Sequence, residues 1–212
     1  MGIKKNLLVL SDELPKKVTL VAVSKTKPVN DLLEAYDAGH RIFGENKIQE
    51  MVLKFEALPK DIQWHMIGHV QTNKVKYMAP FVNTIHAVDS YKLLKEIQKQ
   101  ALKNKRIIKC LIQIRIAREE TKFGLPKDEL NVLLKSASNF PNVKIIGLMG
   151  MASFTTDKQI IRNEFKDLSR LFNNHDDLEI LSMGMSGDYL IAIEEGSNMI
   201  RLGSKIFGER VY

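Results

Sequence analysis

Residues 18–28 read VTLVAVSKTKP, an apolar β-type run that ends in Lys25, Thr26, Lys27 and Pro28. Val, Thr, Leu and Ala without an intervening charge describe a strand buried on both faces, the pattern of a parallel sheet. Pro28 suits the first turn of a helix and cannot continue the strand. Lys25 therefore stands at the carboxyl end of a buried strand, where α/β folds place their chemistry.

Outward from this stretch the same alternation repeats. Residues 29–39 have apolar positions at helical spacing and stop at Gly39. Short strands are expected at 41–44, 63–68 and 82–88, with helices over 46–58, 74–78 and 90–103, the last capped by Ser90. Residues 106–116 are expected to form the fifth and longest strand, followed by a helix over 126–139. Strands at 143–150, 178–183 and 199–203 alternate with helices at 157–172 and 188–195. Eight such alternations predict an α/β fold, a single compact (β/α)8 TIM-type barrel. An open doubly wound sheet is the alternative, because periodicity does not show closure. Residues 1–17 are expected to be an N-terminal arm or outer helix and 18–212 the barrel, since no linker or repeat interrupts them.

The chain has 212 residues, 44% of them hydrophobic and 27% charged, ordinary values for a globular protein with a full-sized core. Its formal net charge of +7 fits nucleic acid, an anionic ligand, or solubility alone. The longest basic tract, 92–109, has apolar residues at helical spacing and reads as an amphipathic helix whose basic face meets water. No interleaved aromatics or recognised module accompany it, so no nucleic-acid partner is expected. Cys110 is the one cysteine, set in the apolar run IIKCLIQI, which marks a core residue and a reducing compartment. The apolar run near the N-terminus is five residues long and meets Ser11, Asp12 and Glu13. It lacks a signal-peptide core, and no segment approaches membrane-spanning length, so a cytoplasmic protein without membrane contact is expected.

Two features carry chemistry. A lysine at a strand end beneath a barrel mouth loses water, which disfavours the ammonium form. Lys27, two residues on, projects to the same side if the chain stays extended, and its charge pushes the same way. A neutral amine is what an aldehyde needs to form a Schiff base. The alternative is that both lysines are solvated at the rim. The second feature is the pair of segments SMGMSGD (182–188) and IRLGSKIFG (200–208). Their glycines let backbone approach an anion, and Ser186 and Ser204 add hydroxyl donors. Both follow late strands, and the loops after strands seven and eight are where barrels commonly bind phosphate. An aldehyde-seeking lysine and a phosphate cradle in one mouth point to pyridoxal 5′-phosphate. Arg201 would then stand near the ring nitrogen, keep it unprotonated and weaken the cofactor as an electron sink.

Six motifs in order, AVSKTKP (22–28), FGEN (43–46), WHMIGHVQTNK (64–74), GLMGMAS (147–153), LSMGMSGD (181–188) and IRLGSKIFGER (200–210), resemble the pyridoxal phosphate homeostasis protein family. These are the single-domain relatives of the N-terminal barrel of alanine racemase. The resemblance implies a (β/α)8 barrel that holds pyridoxal phosphate as a Schiff base on Lys25. By the same resemblance Asn46 lies beside the ring and Arg201 faces its nitrogen, while Ser186, Gly203 and Ser204 hold the phosphate. It also implies a role in intracellular vitamin B6 supply, with pyridoxal-phosphate-dependent enzymes as recipients, no catalytic residue, and a monomer or weak dimer. Lys122 matches a lysine near the site in relatives and is a candidate secondary amine. Arg115 stands where an asparagine is common after the fifth strand, so polar contacts near the cofactor are expected to differ.

The remaining candidates have blander readings. His65 and His69 are four apart but straddle a strand end without a carboxylate partner, so no metal site is expected. Glu45 either positions a cofactor contact or pairs with a lysine. Met149, Met151, Met183 and Met185 are expected to fill core. The functional alternative is a pyridoxal-phosphate-dependent amino-acid racemase, which needs a second acid/base opposite Lys25 that the motifs do not supply. The last tyrosine, Tyr212, lies outside them.

Overall fold

Eight parallel strands close on themselves in sequence order. They are β1 (Thr19–Val23), β2 (Ile42–Glu45), β3 (Gln63–Met66), β4 (Thr84–Val88), β5 (Ile108–Gln113), β6 (Val143–Met149), β7 (Ile180–Ser182) and β8 (Met199–Leu202). The register that closes the barrel sets Val21 beside Arg201 between β1 and β8. This computed structural model describes residues 2–119 and 123–209. The closed barrel, rather than the open sheet, is the arrangement the eightfold alternation predicted.

Among the described residues the helices are α1 (Ile3–Glu13), α2 (Val29–Asp37), α3 (Ile48–Ala57), α4 (Val75–Met78), α5 (Tyr91–Lys103), α6 (Leu130–Ala137), α7 (Lys158–Asn173), α8 (Tyr189–Glu194) and α9 (Ser204–Phe207). Caps set several of their starts. Ser90 accepts from Leu93 N at the head of α5, and Asp157 accepts from Gln159 N and Ile160 N at the head of α7. α1 buries Ile3, Leu7 and Leu10 and packs on α2 and α9, with Asn6 donating to the Ile206 carbonyl at 2.9 Å. None of the helices is long and apolar enough to cross a membrane.

Two expectations about lengths need correction. β5 stops at Gln113, and β6, with seven residues, is the longest strand. Beyond Gln113 the chain leaves β6 to meet residue 125: Ile114 bridges Leu125, and Arg115 N donates to the Leu125 carbonyl at 3.0 Å. The helix expected from residue 126 opens as a 3₁₀ turn over Lys127–Glu129, and its α-helical part runs only from Leu130 to Ala137. α9 was not expected at all, because four residues are too few to show a period.

Alternation along each strand sorts side chains into two layers. Ala22, Phe43, Trp64, Ile85, Cys110, Leu148, Leu181 and Leu202 face the helices and pack with Leu32, Met51, Leu94, Ile97, Phe165 and Leu168. Val21, Ala87, Leu111, Ile146, Met149 and Met199 form a second cluster inside the barrel. Trp64 and Phe43 are fully buried, each worth about 1.5–3 kcal/mol relative to exposure. Burial also pushes the Cys110 thiol up, which leaves it inert packing.

β6 and β7 approach so closely that a side chain at Gly147 has no room. Its Cβ would lie 1.8 Å from the Ile180 carbonyl oxygen, backbone that cannot turn aside. Gly147→Ala is expected to lower the unfolding free energy by about 3 kcal/mol, the upper end of ordinary overpacking costs. Urea denaturation checks this, and wild-type stability would show that the strand pair widens freely.

Candidate functional site

At the carboxyl end of the barrel the strand ends and the following loops enclose a cavity of about 540 Å³. Lys25, Asn46, Ser186, Arg201, Gly203 and Ser204 all line it, as do Lys27, His69, Gln113, Phe123, Met151, Met185, Gly187 and Gly208. The closed barrel brings together residues that the sequence separates by nearly 180 positions. Among the described residues no Asp or Glu lines the cavity.

Lys25 sits in the turn between β1 and α2. The strand ends at Val23, and Thr26 has φ +65°. The extended backbone that would carry Lys25 and Lys27 to one side in alternation therefore does not persist. Lys27 still reaches the cavity, but its ammonium donates to the carbonyls of Phe207 (3.0 Å), Gly208 (3.3 Å) and Glu209 (3.4 Å). It ties down the end of α9, a structural task in place of the expected tuning of Lys25. Glu45 is paired rather than free. Its Oε1 accepts from Lys54 Nζ (2.8 Å) and Ser24 Oγ (2.6 Å), while Oε2 is buried without a partner. Burial pushes its carboxyl up, and Lys54 and Ser24 pull the other way.

Arg201 is buried, 3% exposed, and reaches the cavity from β8. Its guanidinium donates to Ser182 Oγ (2.7 Å), the Ser182 carbonyl (3.0 Å) and the Gly150 carbonyl (3.2 Å). Burial pushes its pKa down to about 10, so it remains a cation at neutral pH. Among the described residues no carboxylate lies within salt-bridge distance of it. Its placement depends on Gly184, whose carbonyl accepts from Arg201 N at 3.0 Å. Gly184 has φ +97°, and a Cβ there would lie 2.7 Å from Ala192 Cβ, so only glycine fits.

Below Arg201 runs a chain of buried polar groups that sequence reasoning missed. Ser182 Oγ lies 3.3 Å from His86 Nδ1, and His86 Nε2 lies 2.9 Å from His65 Nδ1. Burial holds His65 down to about 3, and His86 is well below its ordinary value from burial and then from His65 and Arg201. With both rings neutral, an order that satisfies every link can run from the guanidinium inward. Arg201 donates to Ser182, Ser182 donates to His86 Nδ1, and His86 Nε2–H donates to His65 Nδ1.

The other predictions divide. Met149 and Met183 fill core as expected, whereas Met151 and Met185 line the cavity. His69 is at the rim, 3.4 Å from Asp89 Oδ2 and stacked on Phe123 with ring centroids 4.1 Å apart. Arg115 is exposed and is not among the cavity-lining residues, which corrects its expected place near a cofactor. It falls on the outward side of the chain where β5 has ended. Gln113, two residues earlier, faces the cavity instead and donates to the Phe123 carbonyl at 2.8 Å. A lone glutamine within CLIQI was the available signal. Lys122 and Tyr212 lie outside the described residues. Among the described residues no group of three or more His, Cys, Asp or Glu is placed to hold a metal.

Comparison with known proteins gives this architecture a context. Residues 2–211 match the family described as alanine racemase, N-terminal domain. The pyridoxal phosphate homeostasis protein of Aquifex aeolicus is 41% identical over 202 residues, 91% of this chain and 87% of that protein. The human protein of the same name is 39% identical over 211 residues, 91% of this chain and 77% of that protein. PipY from Synechococcus elongatus, solved with pyridoxal phosphate bound, superposes with a TM-score of 0.90 at 33% identity, covering 98% of this chain and 100% of that one. Alanine racemase from Clostridium difficile shares the fold alone, with a TM-score of 0.80 at 14% identity over 57% of the racemase chain. With 41% identity across nearly its whole length and the barrel to match, the chain belongs to the pyridoxal phosphate homeostasis protein family.

Proposed function

We propose that the protein holds pyridoxal 5′-phosphate in this cavity, reversibly and with Lys25 as the covalent anchor, and so takes part in intracellular vitamin B6 supply. The observation that carries the reading is the charge of the cavity: two lysines and a buried arginine line it, with no acid among the described lining residues. Such a site favours an anion, with the buried Arg201 cation, which also feels Asp188, beside it. Room is available as well. A Cβ at Gly187 or Gly208 would meet nothing within 4 Å, so these glycines leave open the space beside Ser186 and Ser204.

When bound, pyridoxal phosphate supplies an aldehyde that an amine can capture and a ring that withdraws electrons from it. Lys25 is the amine in reach of that aldehyde. Ser186, Ser204 and the backbone at Gly203 hold the phosphate, and Asn46 lies along the ring. Arg201 donates to the ring nitrogen and keeps it unprotonated, which restrains carbanion chemistry. The remaining described groups support retention rather than turnover. Lys27 is spent on three carbonyls, and His69 faces Asp89 and Phe123, so neither is positioned as the opposing acid/base of a racemase. Apoenzymes that use pyridoxal phosphate are the recipients this reading implies, with the chain acting in the cytoplasm as a monomer or weak dimer.

Equilibrium dialysis against pyridoxal phosphate and pyridoxal tests the phosphate assignment. Wild-type protein is expected to bind pyridoxal at least about tenfold more weakly. Ser186→Ala and Ser204→Ala are each expected to weaken pyridoxal phosphate by about ten- to a hundredfold while leaving pyridoxal unchanged, since a hydrogen bond to a charged group is worth about 1.5–3 kcal/mol. Failure to take up either compound would end the reading. Steady production of D-alanine from L-alanine by the loaded protein would replace it with the racemase.

A further inference from the structure

Lys25 is flanked by two residues that are each gripped from outside the turn. On one side Ser24 N donates to the Gly44 carbonyl (3.0 Å), and the Ser24 carbonyl accepts from Lys54 Nζ at 2.7 Å. On the other, Thr26 N donates to Glu50 Oε1 at 2.6 Å. Glu50 and Lys54 are one turn apart on α3 and joined at 2.7 Å, and Lys54 continues to Glu45 at 2.8 Å. Lys54 is 5% exposed and Glu45 fully buried, so this is no surface pair.

The bond to Thr26 is the informative one. Thr26 has φ +65°, and Lys105 is the only other non-glycine at positive φ among the described residues. A β-branched side chain is disfavoured there, so the conformation persists only where something outside the residue imposes it. A carboxylate that accepts the Thr26 amide at 2.6 Å is such a device, and charge-assisted bonds of this kind are about twice as strong as neutral ones. With Ser24 and Thr26 both fixed, the Cα–Cβ direction of Lys25 is fixed with them.

We propose that Glu50 and Lys54 of α3 are positioning residues that clamp Ser24 and Thr26 and so aim the Lys25 amine into the cavity. This rests on Lys25 being the cofactor-holding amine, but the clamp itself is observable without cofactor. In apoprotein, Glu50→Ala is expected to speed amide exchange at Thr26 by at least tenfold, read by NMR, and to weaken pyridoxal phosphate binding by about tenfold. Adding Thr26→Gly is expected to restore most of the binding, because glycine takes positive φ without strain. A merely structural loss of α3 packing would not be rescued this way. Glu50→Gln keeps an oxygen for the Thr26 amide. It is expected to weaken binding two- to fivefold with the same rescue, and it serves if the alanine variant does not fold. Wild-type affinity in Glu50→Ala with a fast-exchanging Thr26 amide would overturn the proposal, as would an unchanged exchange rate. If the wild type takes up no pyridoxal phosphate, the cofactor reading falls, and Thr26 exchange alone then decides the clamp.

Discussion

Lys25→Ala protein is expected to emerge from gel filtration folded and free of pyridoxal phosphate, without the absorbance band of bound cofactor expected of the wild type. The size of the effect follows from what remains. The serines and Arg201 still offer hydrogen bonds, but the proposed covalent anchor is gone, and at least a hundredfold loss of affinity is expected. The fold should survive. Lys25 is half-buried at the cavity edge, and the bonds that hold its turn belong to the Ser24 carbonyl, the Ser24 amide and the Thr26 amide, none of which needs the Lys25 side chain. A melting temperature within a few degrees of wild type is the matching expectation, since side chains away from the core usually change stability by under about 0.5 kcal/mol. Lys27→Ala should behave in the opposite manner. It frees three carbonyls at the end of α9 and loosens residues 207–209 while the cofactor band remains. A Lys25→Ala protein that keeps the band would hand the anchoring role to another amine.

The contrast between these two lysines shows which parts of the site were legible in the sequence. Lys25 was legible because a two-sided apolar strand can only be buried, and its end in a parallel barrel can only be the mouth. Arg201, Ser186 and Ser204 were legible for the same reason at β8 and after β7. Lys27 was not, because its path depends on one left-handed residue, and nothing in SKTKP announces that Thr26 adopts φ +65°. Arg115 misled for a related reason. The apolar run continues to Ile116, but the chain leaves the sheet after Gln113, so the inward position falls on the glutamine. Closure itself was a count, not a pattern, and it became certain only from the pairing of β8 with β1. The histidines lay beyond reach. His65 and His86 meet at 2.9 Å between the neighbouring strands β3 and β4, and they stand 21 positions apart with no trace of that contact in the sequence.

That same pair gives the protein a sensitivity to acid, because both rings are neutral in the fold and ordinary imidazoles in the unfolded chain. His65 is held down to about 3 by burial, against about 6.5 when exposed. Below pH 6.5 the unfolded state therefore binds a proton that the folded state refuses, and stability falls with pH across that window until about pH 3. At pH 5 the loss is set almost wholly by the unfolded value, about 2 kcal/mol for His65. His86 shifts in the same direction, from burial and then from His65 and Arg201, and so adds to that loss with the same sign. His40, lowered by its own burial, adds to the slope with the same sign. Urea denaturation of the apoprotein at pH 7 and pH 5 measures the loss. His65→Gln, whose amide oxygen can still accept from His86, should recover about 2 kcal/mol of it at pH 5. Protonation of the native pair is blocked for a reason tied to the site. A second proton on His86 would place a cation beside the Arg201 guanidinium in a buried site, and burial and that charge both oppose it. The neutral histidines and the charged arginine thus require each other. A stability that stays flat from pH 7 to pH 5 would mean that the pair accepts a proton in place, and the order of donors from Arg201 to His65 would have to be reversed.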